Sequence, residues 1–201
     1  MITTILFDIG GVLLTDGWGH DSRRKAAAQF NLDWEDFSDR HEKVAHLIEI
    51  NRLTLERYLD LVIFCRPRSF SRDEFRAFIF AQSQPKPESL EIVRQLAGSK
   101  KHFMATLNNE VLELNLFRIQ HFDLRKYFKV FFSSCFLGLR KPDEAIYRLV
   151  MNVLQCTPDE CVFVDDREVN LECPRAMGLH TIHFQDAMQL RRELREKGVE
   201  L

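Results

Sequence analysis

ILFDIGGVLL, residues 5–14, is an apolar run that delivers one carboxylate, Asp8, and then bends at Gly10 and Gly11. A strand this apolar is buried on both faces, as strands of a parallel sheet are. The run begins near residue 3, and four similar ones follow at 102–107, 130–133, 161–164 and 180–184. Between the later runs lie segments with helical periodicity, at 88–97, 110–120, 143–154, 168–177 and 187–196. Pro87 suits a position just before a helix, Gly98 one just after, and Pro142-Asp143 a helix start. The alternation predicts an α/β fold built on a parallel sheet.

After the first run the alternation stops. Segments 22–30, 34–50, 54–64 and 72–82 read as four helices, with breaks near 31–33, 51–52 and 66–68. Gln84-Pro85-Lys86-Pro87 then reads as a hinge. The expected organisation is an α/β core of residues 1–15 and 86–201, with 16–85 inserted as a small α-helical cap subdomain. An insertion there lies over the C-terminal end of its strand, where open α/β sheets bind ligands.

Composition sets the boundaries of function. The 201 residues are 45% hydrophobic and 29% charged, as in a globular domain with or without an insertion. A formal charge of -2 gives no reason to bind nucleic acid or an acidic membrane. No apolar run approaches the roughly 18 residues of a membrane span, and the N-terminus enters a strand with no signal-peptide pattern. The run 191–197, RRELREK, alternates in sign like a solvated helix face. The five cysteines show no C-x-x-C spacing, which suggests reduced thiols and a cytoplasmic location. The seven histidines lack zinc spacing; His41 and His46 read as ordinary helix positions.

Four polar positions stand at or just beyond strand ends: Asp8, Asn108-Asn109, Lys141 and Asp165-Asp166. Parallel strands end along one edge, so these distant residues are expected in one crevice. Three carboxylates, two amides and a lysine there suit a hard divalent cation and a phosphoryl group.

The set resembles the haloacid dehalogenase superfamily. LFDIGGVLL (6–14) is similar to its first motif, GLRKPDEAIY (138–147) to its third, and VFVDDREVNLECPRAMGLHTIHF (162–184) to its fourth with the following helix and strand. ATLNNE (105–110) matches the second more loosely. The resemblance covers about 1–15 and 86–190 in the family's motif order; the insert matches only in position and helical character. It implies a doubly wound, Rossmann-like core and a Mg²⁺-dependent phosphatase that forms an aspartyl-phosphate on Asp8. By the same resemblance Lys141 offsets phosphoryl charge, and the Gly10-Gly11 turn faces backbone N–H groups to phosphate, with the Gly10 carbonyl on the metal. Asp166 is the expected direct ligand, and Asp165 acts indirectly or through water, since adjacent residues of an extended chain point opposite ways. Asn170 would order the ligands. Lys141 precedes a proline and is biased to an extended backbone before a helix.

Two departures from the family pattern matter. Its second motif offers Ser or Thr to a phosphoryl oxygen; Asn108 takes that position here, Thr106 is the rival, and Asn109 would organise the loop. Gly10 stands where typical phosphatases carry an acid–base Asp, whose loss costs about 10²–10⁴ in rate, or roughly 3–5.5 kcal/mol. A leaving group of low pKa, such as an anomeric sugar oxygen, would need less help. Alternatively Asp16, His20 or Asp21 could supply an acid. The expected substrate is a small phosphorylated metabolite, a sugar phosphate or similar. Two other readings stay open: a metal-independent 2-haloacid dehalogenase, and a non-catalytic regulator that binds a phosphorylated ligand. Specificity would come from the insert, where Trp18, His20, Arg23, Arg24, His46 and Arg52 could face the site, although the arginines also read as a solvated face. Oligomeric state is not legible.

Overall fold

The computed structural model describes residues 1–200, so Leu201, the last residue of the expected core segment, lies outside the described residues. Five parallel strands, β1 (Thr4–Phe7), β2 (Phe103–Asn108), β3 (Val130–Ser133), β4 (Cys161–Asp165) and β5 (His180–His183), form one sheet in the order β3-β2-β1-β4-β5. The expected runs recur within about one residue at each end, and β2 and β4 each run one residue further.

Alternation along β1 divides the core. Ile5 and Phe7 pack with α5 (Pro87–Ser99) and α10 (Ala187–Glu196) through Ile92, Val93, Leu96, Leu190 and Leu194. Leu6 points the other way, with Leu107 and Phe163, toward Ile146, Tyr147 and Val150 of α8 (Glu144–Leu154) and Leu171 of α9 (Val169–Ala176). Helices on both faces make the sheet doubly wound. Each of these fully buried aliphatic side chains contributes about 1.5–3 kcal/mol, which is why Ile5, Leu6 and Phe7 of β1 are apolar on both faces.

Register brings the strand ends level. Phe7 pairs with Thr106 on one side and Val164 on the other, and the Asp8 amide donates to the Val164 carbonyl at 2.9 Å. Asp8 and Asp165 therefore leave the sheet at the same edge. α6 (Leu112–His121) follows β2, and a short α7 (Ser134–Leu137), absent from the sequence reading, follows β3.

Between β1 and α5 lie α1 (His20–Gln29), α2 (Trp34–Glu49), α3 (Leu55–Val62) and α4 (Arg72–Ala81). Local chemistry sets their starts: Asp33, Thr54 and Ser71 each accept a hydrogen bond from a first-turn amide, and Ser71 with Glu74 completes a capping box. The four helices bury their own aromatic centre, in which Phe30, Phe70 and Phe75 lie with ring centroids 4.6–5.7 Å apart. Tyr58 accepts from Trp18 Nε1 at 2.9 Å and meets His41 Nδ1 at 2.9 Å.

The chain enters and leaves this insert through two adjacent linkers. Leu14 bridges Pro85 antiparallel, Thr15 N donates to Gln84 O at 2.8 Å, and Lys86 N to Leu13 O at 2.9 Å. Arg118 of α6, buried, fastens both: its guanidinium donates to Ser83 Oγ at 3.0 Å and to the Thr15 carbonyl. Among the described residues no helix is long and apolar enough to cross a membrane.

Candidate active site

Lys141 is the centre of the strand-end cluster. It is 1% exposed, and its ammonium donates to Asp8 Oδ2 at 2.8 Å, Asp165 Oδ2 at 2.6 Å and the Leu107 carbonyl at 3.0 Å. All three ammonium donors are thus used, which a buried cation requires. Asn109 fixes the lysine's backbone from both sides, accepting from Lys141 N at 2.9 Å and donating to Lys141 O at 2.8 Å. A cis peptide joins Lys141 to Pro142.

Asp165 is fully buried and engaged on every side. Besides Lys141 it accepts from Arg167 N at 2.8 Å and from Asn170 Nδ2 at 3.0 Å. Asn170 is itself held by Tyr147, whose hydroxyl donates to its carbonyl at 2.7 Å. Asp166 turns the other way, onto the wall of an open cavity that Asp8 also lines. Carboxylate oxygens of Asp8, Asp165 and Asp166 lie within 4.8 Å of one another.

Charge in this cluster is unbalanced. Burial opposes ionisation of Asp165, yet Lys141 and the amide donors hold its carboxyl below the ordinary range. Burial would strip the proton from Lys141, but Asp165 and Asp8 outweigh it and keep the amine charged. Asp8 is held well above its usual value by burial, reinforced by Asp165 and Asp166 against the pull of Lys141. Burial, Asp165 and Asp16 push Asp166 up as well. Two carboxylates 4.8 Å apart repel by on the order of 3 kcal/mol at an effective dielectric of about 20. Three acids against one ammonium leave two negative charges, which a dication with oxygen preference offsets. The donor set fits Mg²⁺.

The glycines make room for this arrangement. Gly11 has φ +72°, and a Cβ there would lie 2.0 Å from Asp166 Oδ2. Only glycine lets the loop and the acid approach so closely. A Cβ at Gly10 would meet Asp16 Oδ1 at 3.3 Å, so a carboxylate from further along the chain lies beside the position where residue 10 offers none.

Asn108 is not on the cavity wall, contrary to its expected place facing phosphate. β2 extends through it, and its side chain lies 1% exposed in a polar knot: Ser133 Oγ donates to Asn108 Oδ1 at 2.9 Å, and Asn108 Nδ2 to Asn115 Oδ1 at 3.0 Å. Thr106 is fully buried, with its hydroxyl unpartnered among the described residues. Asn109, just past the strand, reaches the wall instead.

The cavity, of about 480 Å³, lies between the strand ends and the insert. Of the six insert residues singled out, Trp18, His20 and Arg23 line it. Arg24 instead lies over the Trp34 ring, 3.9 Å from its centroid, and neither His46 nor Arg52 reaches the wall. Asp16 lines the cavity; Asp21 does not. Sequence reasoning missed His41, Glu42 and Glu49 of α2, the core pair Glu110–Arg118, and Arg140 and Arg167. One signal was available for Arg118, a charge on the same buried face of α6 as the apolar Leu114 and Ile119. Arg140 reaches across to Glu49 at 3.2 Å. His41 is pushed down to about 3 by burial and by Arg23, so it is neutral.

Known proteins share this architecture. A HAD family enzyme of Bacteroides thetaiotaomicron, solved with magnesium and inorganic phosphate, superposes with TM-score 0.77 at 19% identity, over 92% of this chain and 95% of that one. A phosphorylated carbohydrates phosphatase of Thermotoga maritima is 25% identical over 191 residues, 89% of this chain and 83% of its own. Bifunctional epoxide hydrolase 2 of Sus scrofa is 39% identical over 80 residues, a match covering 39% of this chain but only 14% of that much longer relative. The family model for haloacid dehalogenase-like hydrolases matches residues 2–178, from the start of β1 to just before β5. With the motifs in order and their side chains gathered at one sheet edge, this chain belongs to the haloacid dehalogenase-like hydrolases.

Proposed function

We propose that the protein is a Mg²⁺-dependent phosphatase that transfers the phosphoryl group of a small polar metabolite to Asp8 and then to water. One observation carries the reading: the Asp8 carboxylate, 2.8 Å from the buried Lys141 ammonium, shares its crevice with two further carboxylates. A carboxylate so placed is a nucleophile beside a fixed positive charge.

Asp8, Asp166 and the Gly10 carbonyl would hold the cation, with Asp165 behind them. When bound, Mg²⁺ supplies charge neutralisation at the phosphoryl oxygens and lets Asp8 ionise fully. Lys141 keeps Asp8 aimed, and the ammonium donor that faces Asp8 turns to a phosphoryl oxygen as Asp8 engages phosphorus. The amide N–H groups of the Gly10-Gly11 turn and of Asn109 offer further donors, while Asn108 supports that loop from the strand behind it. Asn170 and Arg167 N fix Asp165, and through it the lysine.

A hydroxyl-rich substrate suits the cavity best. About 480 Å³ accommodates a small ligand, and its wall carries Arg23, Arg140 and Arg167 beside Glu42 and Glu49. Donors and acceptors of both signs suit the hydroxyls of a sugar phosphate. The free state of all five cysteines suits a reducing compartment such as the cytoplasm.

Metal-saturated protein should release inorganic phosphate from a panel of sugar phosphates and other phosphomonoesters, and Asp8→Asn should abolish release. No turnover across the panel, with no beryllofluoride adduct at Asp8, would refute the reading. Chloride release from 2-chloropropionate in EDTA would favour a dehalogenase. Ligand-induced stabilisation without turnover would favour a regulator.

A further inference from the structure

The proposed reaction, on which this inference rests, needs one proton twice. The departing oxygen must gain it, and the water that attacks the phosphorylated Asp8 must lose it. Residue 10 has no side chain to carry it. Among the titratable groups on the cavity wall, most are committed elsewhere. His41 is bonded to Tyr58, Glu49 faces Arg140 at 3.2 Å, and Glu110 accepts from Arg118 at 2.8 Å. Asp166 belongs to the cation cluster, and His20 leans to Asp21 at 3.3 Å. Glu42 lies on α2, exposed to solvent and away from the loop that carries Asp8 in sequence.

Asp16 differs in place and in freedom. Its Oδ1 lies 3.3 Å from where a Cβ of residue 10 would be. An aspartate rooted at residue 10 would carry its own oxygens about 2.4 Å from that Cβ by covalent geometry. Asp16 thus comes within about 1 Å of the shell such a side chain would sweep, beside the loop that carries Asp8. Gly19 makes the space on the other side, since a Cβ there would lie 2.0 Å from Asp16 Oδ2. The backbone is held firmly: Ser22 Oγ donates to Asp16 O at 3.0 Å, and Arg118 fastens Thr15 just before it. That Ser22 bond engages the backbone carbonyl, so the carboxylate of this cavity-lining residue has no hydrogen-bond partner among the described residues.

We propose that Asp16 is the catalytic acid and base of this site, reaching the reacting atoms from the insert linker in place of a side chain at residue 10. As Asp8 Oδ forms its bond to phosphorus, the bond from phosphorus to the leaving oxygen breaks, and the Asp16 carboxyl gives that oxygen its proton. The resulting Asp16 carboxylate then takes a proton from water as the water oxygen bonds to phosphorus. The bond from phosphorus to Asp8 breaks, which frees inorganic phosphate and returns both aspartates to their starting forms.

The test compares kcat/KM for 4-nitrophenyl phosphate, whose leaving group needs no proton, with that for glycerol 2-phosphate, whose alkoxide does. Mg²⁺ is present throughout. Asp16→Asn should lower the glycerol 2-phosphate value by roughly 10²–10⁴-fold and the nitrophenyl value by less than about tenfold. Phosphorylated protein should accumulate during turnover, read by intact mass. Gly10→Asp combined with Asp16→Asn moves the carboxylate back to residue 10 and should recover at least about tenfold on the alkyl substrate. Gly10 has no left-handed φ, so its backbone admits the new side chain. Equal losses on both substrates, with or without a lower melting temperature, would assign Asp16 a merely structural role and overturn the proposal, as would no loss at all. If the wild type turns over neither these two substrates nor any member of the phosphomonoester panel, and Asp8 takes no beryllofluoride adduct, the phosphatase reading itself fails, and this inference with it.

Discussion

Replacing Arg118 with methionine should loosen the join between insert and core at a cost that can be worked out. The wild-type guanidinium is 1% exposed and bonds to Glu110 Oε2 at 2.8 Å, Ser83 Oγ at 3.0 Å and the Thr15 carbonyl. Methionine fills most of the space but strands three acceptors. Removing one partner of a buried ion pair typically costs about 3–5 kcal/mol, and for a chain of this length each kcal/mol lowers Tm by about 2–4 °C. A fall of roughly 6–20 °C is expected above pH 7, where the wild-type pair is charged. The pH dependence follows from Glu110, which burial pushes up to about 7 despite the pull of Arg118. Without that pull its folded pKa rises further. Below pH 7 the carboxyl is neutral in both folded proteins, so only the lost hydrogen bonds separate them. Above pH 7 the wild type ionises beside Arg118, while the variant must keep its proton. The gap should therefore widen with rising pH, by about 1.4 kcal/mol per unit. Thermal melts from pH 6 to pH 9 measure this, and hydrogen exchange should speed up at residues 14–16 and 83–86. Adding Glu110→Gln, which still accepts from Val111 N, should recover much of the loss at high pH. A variant within about 1 kcal/mol of wild type, a gap that ignores pH, or a double variant no better than the single one would refute the reasoning.

Other perturbations test other parts of the structure. Gly11→Ala places a side chain at φ +72° and 2.0 Å from Asp166 Oδ2; phosphatase turnover should fall by more than about 100-fold and Mg²⁺ should bind more weakly by calorimetry, whereas Gly10→Ala should be mild. Mg²⁺ added to metal-free protein at about 100 times its dissociation constant should raise Tm by roughly 5–10 °C, and Asp166→Asn should lose that rise. His41 is neutral when folded, with its pKa lowered from 6.5 to about 3. The unfolded chain takes up that proton between those values and the folded chain does not, so this stability is present above pH 6.5 and is lost as pH falls toward 3. Chemical denaturation should show His41→Gln flattening that acid slope by about 1 kcal/mol per pH unit.

What the sequence determined by itself follows from burial. A strand covered on both faces must be largely apolar, as residues 5–7 and 161–164 are, so such runs alternating with helices already pointed to a parallel sheet. Parallel strands end on one edge, and that alone brings Asp8 and Asp165 together from 157 positions apart. The starts of three helices are likewise local matters, since Asp33, Thr54 and Ser71 each cap an amide of their own first turn. The tertiary structure decided what depends on contacts between elements. Asn108 lies off the wall because β2 runs one residue further and turns that amide toward Ser133 and Asn115. Glu49 and His41 reach the cavity through the way α2 settles over the sheet edge, which helical periodicity does not record. Arg118 went unread in the sequence because its role comes from packing against two linkers far away along the chain. Asp16 stands eight residues beyond Asp8, and only the path of the linker brings its carboxylate beside Gly10. Periodicity reports which face of an element is buried; the partners that face meets, and hence the walls of the site, are set by the packing of elements that the sequence keeps apart.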